Sequence, residues 1–173
     1  MKKALFLDRD GVINKEKNYL YKKNDFEFID GIFELCKYFQ KRNYYIIVVT
    51  NQSGIARGYY SDKEFLDLSQ WMEKKFLENN VIIDKIYYCP HHPDFSQNCN
   101  CRKPKPGMIL QAQEELNIDL KHSIMVGDKE RDIEAAINAG ISETYLFNEE
   151  RTFTNSKATR VVSKLEDIWK TRC

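Results

Sequence analysis

Short apolar runs alternate with amphipathic segments along most of the 173-residue chain, and this alternation limits the folds that the chain can adopt. The runs have the length of buried strands, and the segments between them place apolar residues at helical spacing. The runs lie at residues 4–7, 44–49, 82–88, 123–126 and 144–147. Strands that are joined by helices pair in parallel, with the helices packed on both faces of the sheet. We therefore predict a three-layer α/β fold with a mostly parallel sheet.

Local signals set the helix boundaries. Ser61 and Glu64 form a capping box, in which each side chain binds the backbone N–H of the other residue at a helix start. Pro106 suits the first turn of a helix, and Gly140 suits the position after a helix end. Ser163 is the predicted N-cap of a last helix, after a short strand at residues 160–162. The predicted helices run from residue 32 to about 43, from 62 to about 79, and over residues 107–117, 129–139 and 164–170.

Composition excludes several classes of protein. The formal net charge is +1, from 27 Lys and Arg against 26 Asp and Glu, so no overall basic field attracts nucleic acid. The N-terminus lacks the long apolar segment of a signal peptide, and no run reaches membrane-spanning length. We expect a single domain over residues 1–173 and a cytoplasmic monomer, with neither nucleic acid nor a membrane as a partner.

Asp8 and Asp10 directly follow the first apolar run. They would lie at the carboxyl end of a buried strand, where open α/β sheets bind their ligands. Two carboxylates this close repel each other unless a cation or a proton lies with them, and carboxylate oxygens suit Mg²⁺. The alternative is a solvated turn, because Asp and Gly are both common turn residues.

Three further polar clusters follow the later strands. They are the segments Thr50-Asn51-Gln52-Ser53, Arg102-Lys103 and Gly127-Asp128-Lys129. Together with the first aspartates they supply carboxylates for a cation, a hydroxyl and backbone N–H groups for an oxyanion, and cationic side chains for phosphate. Phosphoryl transfer requires these groups, so the sequence predicts that reaction at this edge of the sheet.

Paired cysteines predict a second metal site, in a loop over residues 89–101. Three thiolates and one imidazole can enclose Zn²⁺ tetrahedrally, and a site without an open position is structural. His92 is an alternative to His91, whereas Cys36 fits a buried thiol on an apolar helix face. The predicted ligands are Cys89, His91, Cys99 and Cys101. This zinc would shape the loop that carries Arg102 and Lys103 to the first site.

The chain resembles the haloacid dehalogenase superfamily of phosphatases in four ordered motifs between residues 4 and 147. The motifs are Asp8-Arg9-Asp10-Gly11, Thr50, Lys103 and Gly127-Asp128 with Asp132. The resemblance implies a Rossmann-like fold, in which Asp8 forms a phosphoaspartyl intermediate and Asp10 is general acid and then general base. It also implies that Thr50 and Lys103 contact the phosphate. Mg²⁺ would take the carboxylates of Asp8 and Asp128 and the backbone carbonyl of Asp10.

The resemblance also bears on Asp132 and on the space available for a cap domain. Asp132 would at most support the metal site, and its alternative is an exposed carboxylate on a helix. About forty residues separate the first two motifs, and one loop, one helix and one strand already occupy them. A large cap domain therefore has no room there.

Longer blocks resemble the bacterial D-glycero-D-manno-heptose-1,7-bisphosphate 7-phosphatases. The blocks include residues 49–58, 88–93, 99–104 and 126–129. This family implies hydrolysis of the sugar 7-phosphate during heptose synthesis for lipopolysaccharide or other surface glycans, with Arg102 suited to the second phosphate. The implied substrate contacts are Glu16, Lys17, Asn18, Tyr19, Asn51, Gln52, Ser53, Arg102 and Lys129. The preferred anomer stays open.

Two other functions remain as alternatives. Histidinol-phosphate phosphatases resemble the chain in the aspartate motif and the zinc loop. A non-catalytic zinc module could instead bind nucleic acid through basic and aromatic side chains, namely Arg102, Lys103, Lys105, Tyr87 and Tyr88. The balanced charge and the four phosphatase motifs oppose this second alternative.

Overall fold

Six parallel strands form one sheet in the order β3-β2-β1-β4-β5-β6. The computed structural model describes residues 1–150 and 155–172. The strands are β1 (Ala4–Leu7), β2 (Tyr45–Asn51), β3 (Lys85–Cys89), β4 (Ile124–Gly127), β5 (Glu143–Phe147) and β6 (Arg160–Val162). All five strand pairs are parallel, which confirms the predicted sheet. The order reverses between β1 and β4, and open α/β sheets bind ligands at such a switch point.

Five helices cover the two faces of the sheet. They are α1 (Ile32–Gln40), α2 (Asp62–Glu78), α3 (Gly107–Leu116), α4 (Glu130–Ala139) and α5 (Asp167–Lys170). Within residues 1–150 and 155–172, no helix combines the length and the apolar character that crossing a bilayer requires. Helices α1, α2 and α5 pack on one apolar cluster with Leu5 and Leu7, and α3 and α4 pack on another with Ala4 and Phe6. Successive side chains of β1 therefore enter opposite layers of the core, as strand geometry requires.

The capping box at the start of α2 is confirmed. The Glu64 backbone N–H donates to Ser61 Oγ at 3.1 Å, and the Ser61 backbone N–H donates to Glu64 Oε2 at 2.8 Å. Gly140 follows α4 with a left-handed backbone, also as predicted. Pro106 lies one residue earlier than predicted, at the N-cap position of α3.

Several predicted boundaries were wrong. Helix α1 ends at Gln40 rather than near residue 43, and β2 continues to Asn51 rather than ending at residue 49. Strand β3 begins at Lys85 rather than Ile82, because the Ile82 backbone N–H donates to Gln40 Oε1 at 2.8 Å, away from the sheet. Helix α5 begins only at Asp167, with Glu166 rather than Ser163 at its N-cap position. The residues before α5 instead form tight turns. The Asp167 backbone N–H donates to the Lys164 carbonyl, and the Ile168 N–H donates to the Leu165 carbonyl. The polar residues 148–159 lack a helical or strand period, which predicts a loop, and residues 151–154 of this segment lie outside the described residues.

Candidate active site

Three carboxylates meet where β1 and β4 end side by side. The Asp8 backbone N–H donates to the Val126 carbonyl at 3.1 Å, which ties the two strand ends together. Single oxygens of Asp8, Asp128 and Asp132 all lie within 4.8 Å of one another. Asp8 is only 6% exposed, so the solvated-turn interpretation was wrong.

Lys103 lies among these carboxylates as a buried cation. Its Nζ is 2.9 Å from Asp8 Oδ1 and 2.7 Å from Asp132 Oδ1, and it donates to the Val49 carbonyl at 2.7 Å. Asn51 fixes the Lys103 backbone from both sides, since its amide accepts from the Lys103 N–H at 3.0 Å and donates to the Lys103 carbonyl at 3.1 Å. The ammonium is therefore held against Asp8.

Asp132 is fully buried, so its interpretation as an exposed helix carboxylate was wrong. Its Oδ2 accepts the backbone N–H groups of Asp128 and Lys129 at 3.2 Å and 3.0 Å, at the start of α4. Its Oδ1 meets Lys103. Asp132 thus joins the helix start to the buried cation, a role that we underestimated from the sequence. The spacing of four residues from Asp128 was the available signal.

The electrostatics of the carboxylate cluster favour an added cation. Burial, together with the nearby Asp132 charge, raises the pKa of Asp8 to about 6. Burial and the charges of Asp8 and Asp132 raise the pKa of Asp128 to about 9. Among the described residues, nothing donates a hydrogen bond to the buried Asp128 Oδ1. Hard oxygen donors that repel one another and include an unpartnered atom fit Mg²⁺.

Gly11 makes this close approach possible. It has a φ of +89°, and a Cβ placed on it would lie 2.1 Å from Asp128 Oδ2. Any larger residue would push the Asp128 carboxylate away from the end of β1 and would strain the backbone. The glycine of the Asp8-Arg9-Asp10-Gly11 motif therefore serves the carboxylate cluster directly.

Asp10 has separate partners from the carboxylate cluster. Its Oδ1 accepts from Arg9 Nη2 at 2.9 Å and from Asn14 Nδ2 at 3.1 Å. Its Oδ2 accepts from Gln52 Nε2 at 3.0 Å. Arg9, which the sequence analysis did not single out, is itself buried and also donates to the Leu20 carbonyl at 2.8 Å. The Asp10 carboxylate is thus held by donors on both oxygens.

A cavity of about 360 Å³ opens above Asp8, Asp10 and Lys103. Most of the predicted substrate contacts line it, namely Glu16, Asn18, Tyr19, Asn51, Gln52, Ser53, Arg102 and Lys129. Lys17 is not among the lining residues, and its Nζ instead lies 3.7 Å from Glu27 Oε2 on the surface. Arg57, Tyr60 and Arg131 also line the cavity, although the sequence analysis assigned them no role.

Thr50 and Gln52 are almost completely buried. They are only 1% and 2% exposed. The Gln52 amide donates to Thr50 Oγ1 at 2.9 Å as well as to Asp10. The side-chain amide of Gln52 is therefore hydrogen-bonded within the protein, although the residue lines the cavity.

The rim of the cavity is basic. Arg57, Arg102, Lys129 and Arg131 all line it. Burial, followed by the charge of Arg131, lowers the pKa of Arg102. Neighbouring cations repel each other, and a bound anion relieves this repulsion. The N–H donors of a guanidinium group match the spacing of phosphate oxygens.

The four predicted zinc ligands come together at the end of β3 and in the loop that follows it. One donor atom each from Cys89, His91, Cys99 and Cys101 lies within 4.8 Å of the others. His91 Nδ1 is 3.8 Å from Cys89 Sγ and 3.4 Å from Cys101 Sγ. Small side-chain movements would bring these donor atoms to the spacing of a tetrahedral zinc site. This donor set fits Zn²⁺.

His92 does not belong to this cluster. Its Nε2 contacts Arg57 Nη2 at 3.4 Å, and its Nδ1 accepts the Asp94 backbone N–H at 3.2 Å. Cys36 is buried in the core, as predicted. The His91 carbonyl accepts from Arg102 Nη1 at 3.3 Å, so the cluster is attached directly to a residue of the cavity rim.

Two of the five residues of the nucleic-acid hypothesis are buried. Lys103 and Tyr87 are 2% and 5% exposed, and Tyr87 donates to Glu115 Oε2 at 2.6 Å. Side chains that are buried in this way cannot stack on bases or follow a phosphate backbone. Lys103 and Tyr87 are therefore not available to nucleic acid, whereas Lys105 is exposed and Arg102 and Tyr88 are partly buried.

Comparisons with known proteins agree with this geometry. A family model described as HAD-hydrolase-like matches residues 100–168. The D-glycero-alpha-D-manno-heptose-1,7-bisphosphate 7-phosphatase of Campylobacter jejuni is 51% identical over 96% of this chain and 98% of its own length. The corresponding beta-heptose enzyme of Vibrio cholerae is 46% identical over 96% of this chain and 94% of its own length.

A solved structure shares the fold over almost the full length. It is the D,D-heptose 1.7-bisphosphate phosphatase from B. bronchiseptica, complexed with magnesium and phosphate. The TM-score is 0.86 at 29% identity, and the match covers 98% of this chain and 97% of the other. The chain therefore belongs to the haloacid dehalogenase superfamily, in its family of D-glycero-D-manno-heptose-1,7-bisphosphate 7-phosphatases.

Proposed function

We propose that this protein is a Mg²⁺-dependent phosphatase that hydrolyses the 7-phosphate of D-glycero-D-manno-heptose 1,7-bisphosphate through a phosphoaspartyl intermediate. The observation that carries the proposal is the contact of Asp8 with Lys103 at the floor of a cavity whose rim is basic. An anionic nucleophile needs such cations nearby to approach a phosphate dianion. The identity of the proposed sugar substrate comes from the names of the relatives.

The reaction would occur in two displacements at phosphorus. In the first, an Asp8 oxygen forms a bond to phosphorus, the bond from phosphorus to the sugar oxygen breaks, and Asp10 gives that oxygen its proton. In the second, Asp10 takes a proton from the attacking water, phosphate leaves, and the Asp8 carboxylate is restored. Lys103 and the Thr50 hydroxyl would contact the equatorial oxygens, where charge accumulates.

Two metals belong to this proposal. The carboxylates of Asp8 and Asp128 and the backbone carbonyl of Asp10 would hold Mg²⁺, and the unpartnered Asp128 Oδ1 supports that assignment. When bound, Mg²⁺ offsets the repulsion between the phosphate and the aspartates. Zn²⁺ in the cysteine–histidine cluster would have no open position and would keep the loop that carries Arg102 in place.

The remote phosphate would be bound at the cavity rim. Arg102 and Lys129 line the same cavity as Asp8 and offer cationic donors, which suit the phosphate on carbon 1. Glu16, Asn18, Tyr19 and Ser53 would contact the sugar.

The cellular setting is part of the same proposal. Three cysteine thiolates at one zinc site require a reducing compartment, which supports a cytoplasmic location. We further propose that the chain acts as one domain and as a monomer, and that its product enters the synthesis of lipopolysaccharide or another surface glycan.

Steady-state kinetics on three substrates would test the proposed function. We expect release of phosphate from the α or the β anomer of the heptose bisphosphate with much higher kcat/KM than from histidinol phosphate. The ratio between the two anomers identifies the physiological one. Faster turnover of histidinol phosphate would contradict the proposal, as would turnover that is unaffected by removal of Mg²⁺ with a chelator.

A further inference from the structure

The side chain of Gln52 links two groups of the proposed reaction. Its Nε2 donates to Asp10 Oδ2 at 3.0 Å and to Thr50 Oγ1 at 2.9 Å. Its backbone N–H donates to the Cys89 carbonyl at 2.8 Å, so the residue is anchored at the end of β3. One amide group thus holds both the proposed proton donor and the proposed phosphate-binding hydroxyl.

Tyr60 determines which way this amide points. Its hydroxyl forms a short hydrogen bond to Gln52 Oε1. Burial raises the pKa of Tyr60 to about 12, so the hydroxyl keeps its proton and can donate it to the amide oxygen. With the oxygen occupied on one side, both amide N–H groups face Asp10 and Thr50. The opposite orientation would place the amide oxygen against the Asp10 carboxylate.

The loop after β2 makes room for the Tyr60 ring. A Cβ on Gly54 would lie 2.2 Å from the ring carbon Cε1 of Tyr60. Tyr21 also stacks on the ring, at a centroid distance of 5.3 Å and an interplanar angle of 12°. Tyr60 is 5% exposed. Its hydroxyl is therefore held in position by the packing of the ring against Gly54 and Tyr21.

The Gln52 contact also sets the hydrogen-bond direction of Thr50. Because the amide donates to Thr50 Oγ1, the hydroxyl hydrogen can turn to another acceptor. Within residues 1–150 and 155–172, the acceptor found for it is the Asn51 carbonyl, at a long distance of 3.5 Å. A phosphate oxygen above Asp8 would be a better acceptor.

We propose that Tyr60 and Gln52 are positioning residues, which act through the amide of Gln52 to orient Asp10 toward the leaving oxygen and Thr50 toward the phosphate. This inference rests on the proposed function, in which Asp10 protonates the leaving group. It assigns Gln52 a role different from the substrate contact that was expected from the sequence.

Substrates with different leaving groups distinguish a positioning role of Tyr60 and Gln52 from a general packing role. A sugar alkoxide is a poor leaving group and needs the proton of Asp10, whereas p-nitrophenolate leaves without one. The ratio kcat/KM covers the steps up to the first transfer of phosphate to Asp8. A disoriented Asp10 therefore lowers kcat/KM for the sugar ester more than for p-nitrophenyl phosphate, whereas a damaged cavity lowers both.

The experiment compares the wild type with the variants Tyr60→Phe, Tyr21→Phe and Asp10→Asn on heptose bisphosphate and on p-nitrophenyl phosphate. Tyr60→Phe removes only the hydroxyl that binds Gln52. Tyr21→Phe is the matched control, because it removes a hydroxyl from the stacked neighbour and leaves the bond between Tyr60 and Gln52 in place. We expect Tyr60→Phe to lower kcat/KM for the sugar ester about tenfold relative to p-nitrophenyl phosphate, a part of the roughly 100-fold or more that general acid catalysis provides.

Each outcome decides between the inference and the function on which it rests. Asp10→Asn should show the larger selective loss, and Tyr21→Phe should match the wild type on both esters. If Asp10→Asn is selective but Tyr60→Phe lowers both esters equally or neither, the positioning inference is wrong and the proposed function stands. If Asp10→Asn lowers both esters equally, the assignment of Asp10 as general acid fails.

Discussion

At the scale of single residues, Lys103 decides the charge of the site. A buried ammonium is costly unless it is paired, and Lys103 has two carboxylate partners and one carbonyl partner. Its charge also favours the ionised form of Asp8, against the effect of burial and of Asp132. The same cation thus pairs with two buried carboxylates and would prepare Asp8, the proposed nucleophile.

The first prediction concerns Asp8→Asn. We expect no measurable phosphate release, because an amide cannot form the acyl phosphate. Lys103 keeps its contacts with Asp132 and the Val49 carbonyl, so the melting temperature and the zinc content should stay close to those of the wild type. Phosphate assays, calorimetry and elemental analysis test the three parts, and wild-type turnover would rule out Asp8 as the nucleophile.

At the scale of elements, the loop between β3 and α3 connects the two predicted metal sites. It contains the cysteine–histidine cluster, and it then delivers Arg102 to the rim and Lys103 to the floor of the cavity. The contact between Arg102 and the His91 carbonyl means that a change at the cluster reaches the substrate site.

The second prediction uses the two adjacent histidines of this loop. His91→Gln should lose bound zinc, lower the melting temperature and raise KM, because Arg102 loses its support. His92→Gln is the matched control and should retain zinc, since His92 Nδ1 accepts a backbone N–H of its own loop. Elemental analysis distinguishes the two, and zinc loss in His92→Gln alone would reverse the ligand assignment.

The third prediction concerns the start of α2. Ser61→Ala removes the side-chain acceptor for the Glu64 backbone N–H. The free energy of unfolding should fall by about 1 kcal/mol, and Ser61→Asp should keep most of it, because Asp is also a good N-cap. Urea denaturation measures both, and an unchanged Ser61→Ala would show that the box does not stabilise the helix.

At the scale of the whole molecule, the stability of the protein should depend on pH and Mg²⁺ together. In the absence of metal, burial and neighbouring carboxylates raise the pKa of Asp8 to about 6 and that of Asp128 to about 9, from 3.8. The folded state then binds these protons more tightly than the unfolded chain does. Their contribution to stability is full below pH 3.8 and is lost as the pH rises through the folded pKa values.

The fourth prediction follows from this linkage. Mg²⁺ binds the ionised carboxylates, so the rise in melting temperature on adding Mg²⁺ should grow between about pH 5 and about pH 8. Asp128→Asn removes one ligand and should abolish most of that increase. Thermal melts with and without Mg²⁺ check the trend, and a Mg²⁺ effect that is independent of pH would argue against these carboxylates as the metal site.

The sequence by itself determined the order of elements and the two clusters of ligands. Apolar runs and helical spacing are patterns among neighbouring residues. The strand β1 and the start of α1 could therefore be predicted from the sequence alone. Likewise, the spacing of Cys89, His91 and the later cysteines sufficed to predict that these four side chains come together.

Only the tertiary structure decided the contacts between distant segments. The burial of Asp132, the basic rim that includes Arg57 and Arg131, and the bond between Tyr60 and Gln52 depend on how separate loops meet at one sheet edge. Residues far apart along the chain carry no periodic signal of their contact. Burial and hydrogen-bond partners, which set the roles of these side chains, therefore arise only when the sheet has assembled.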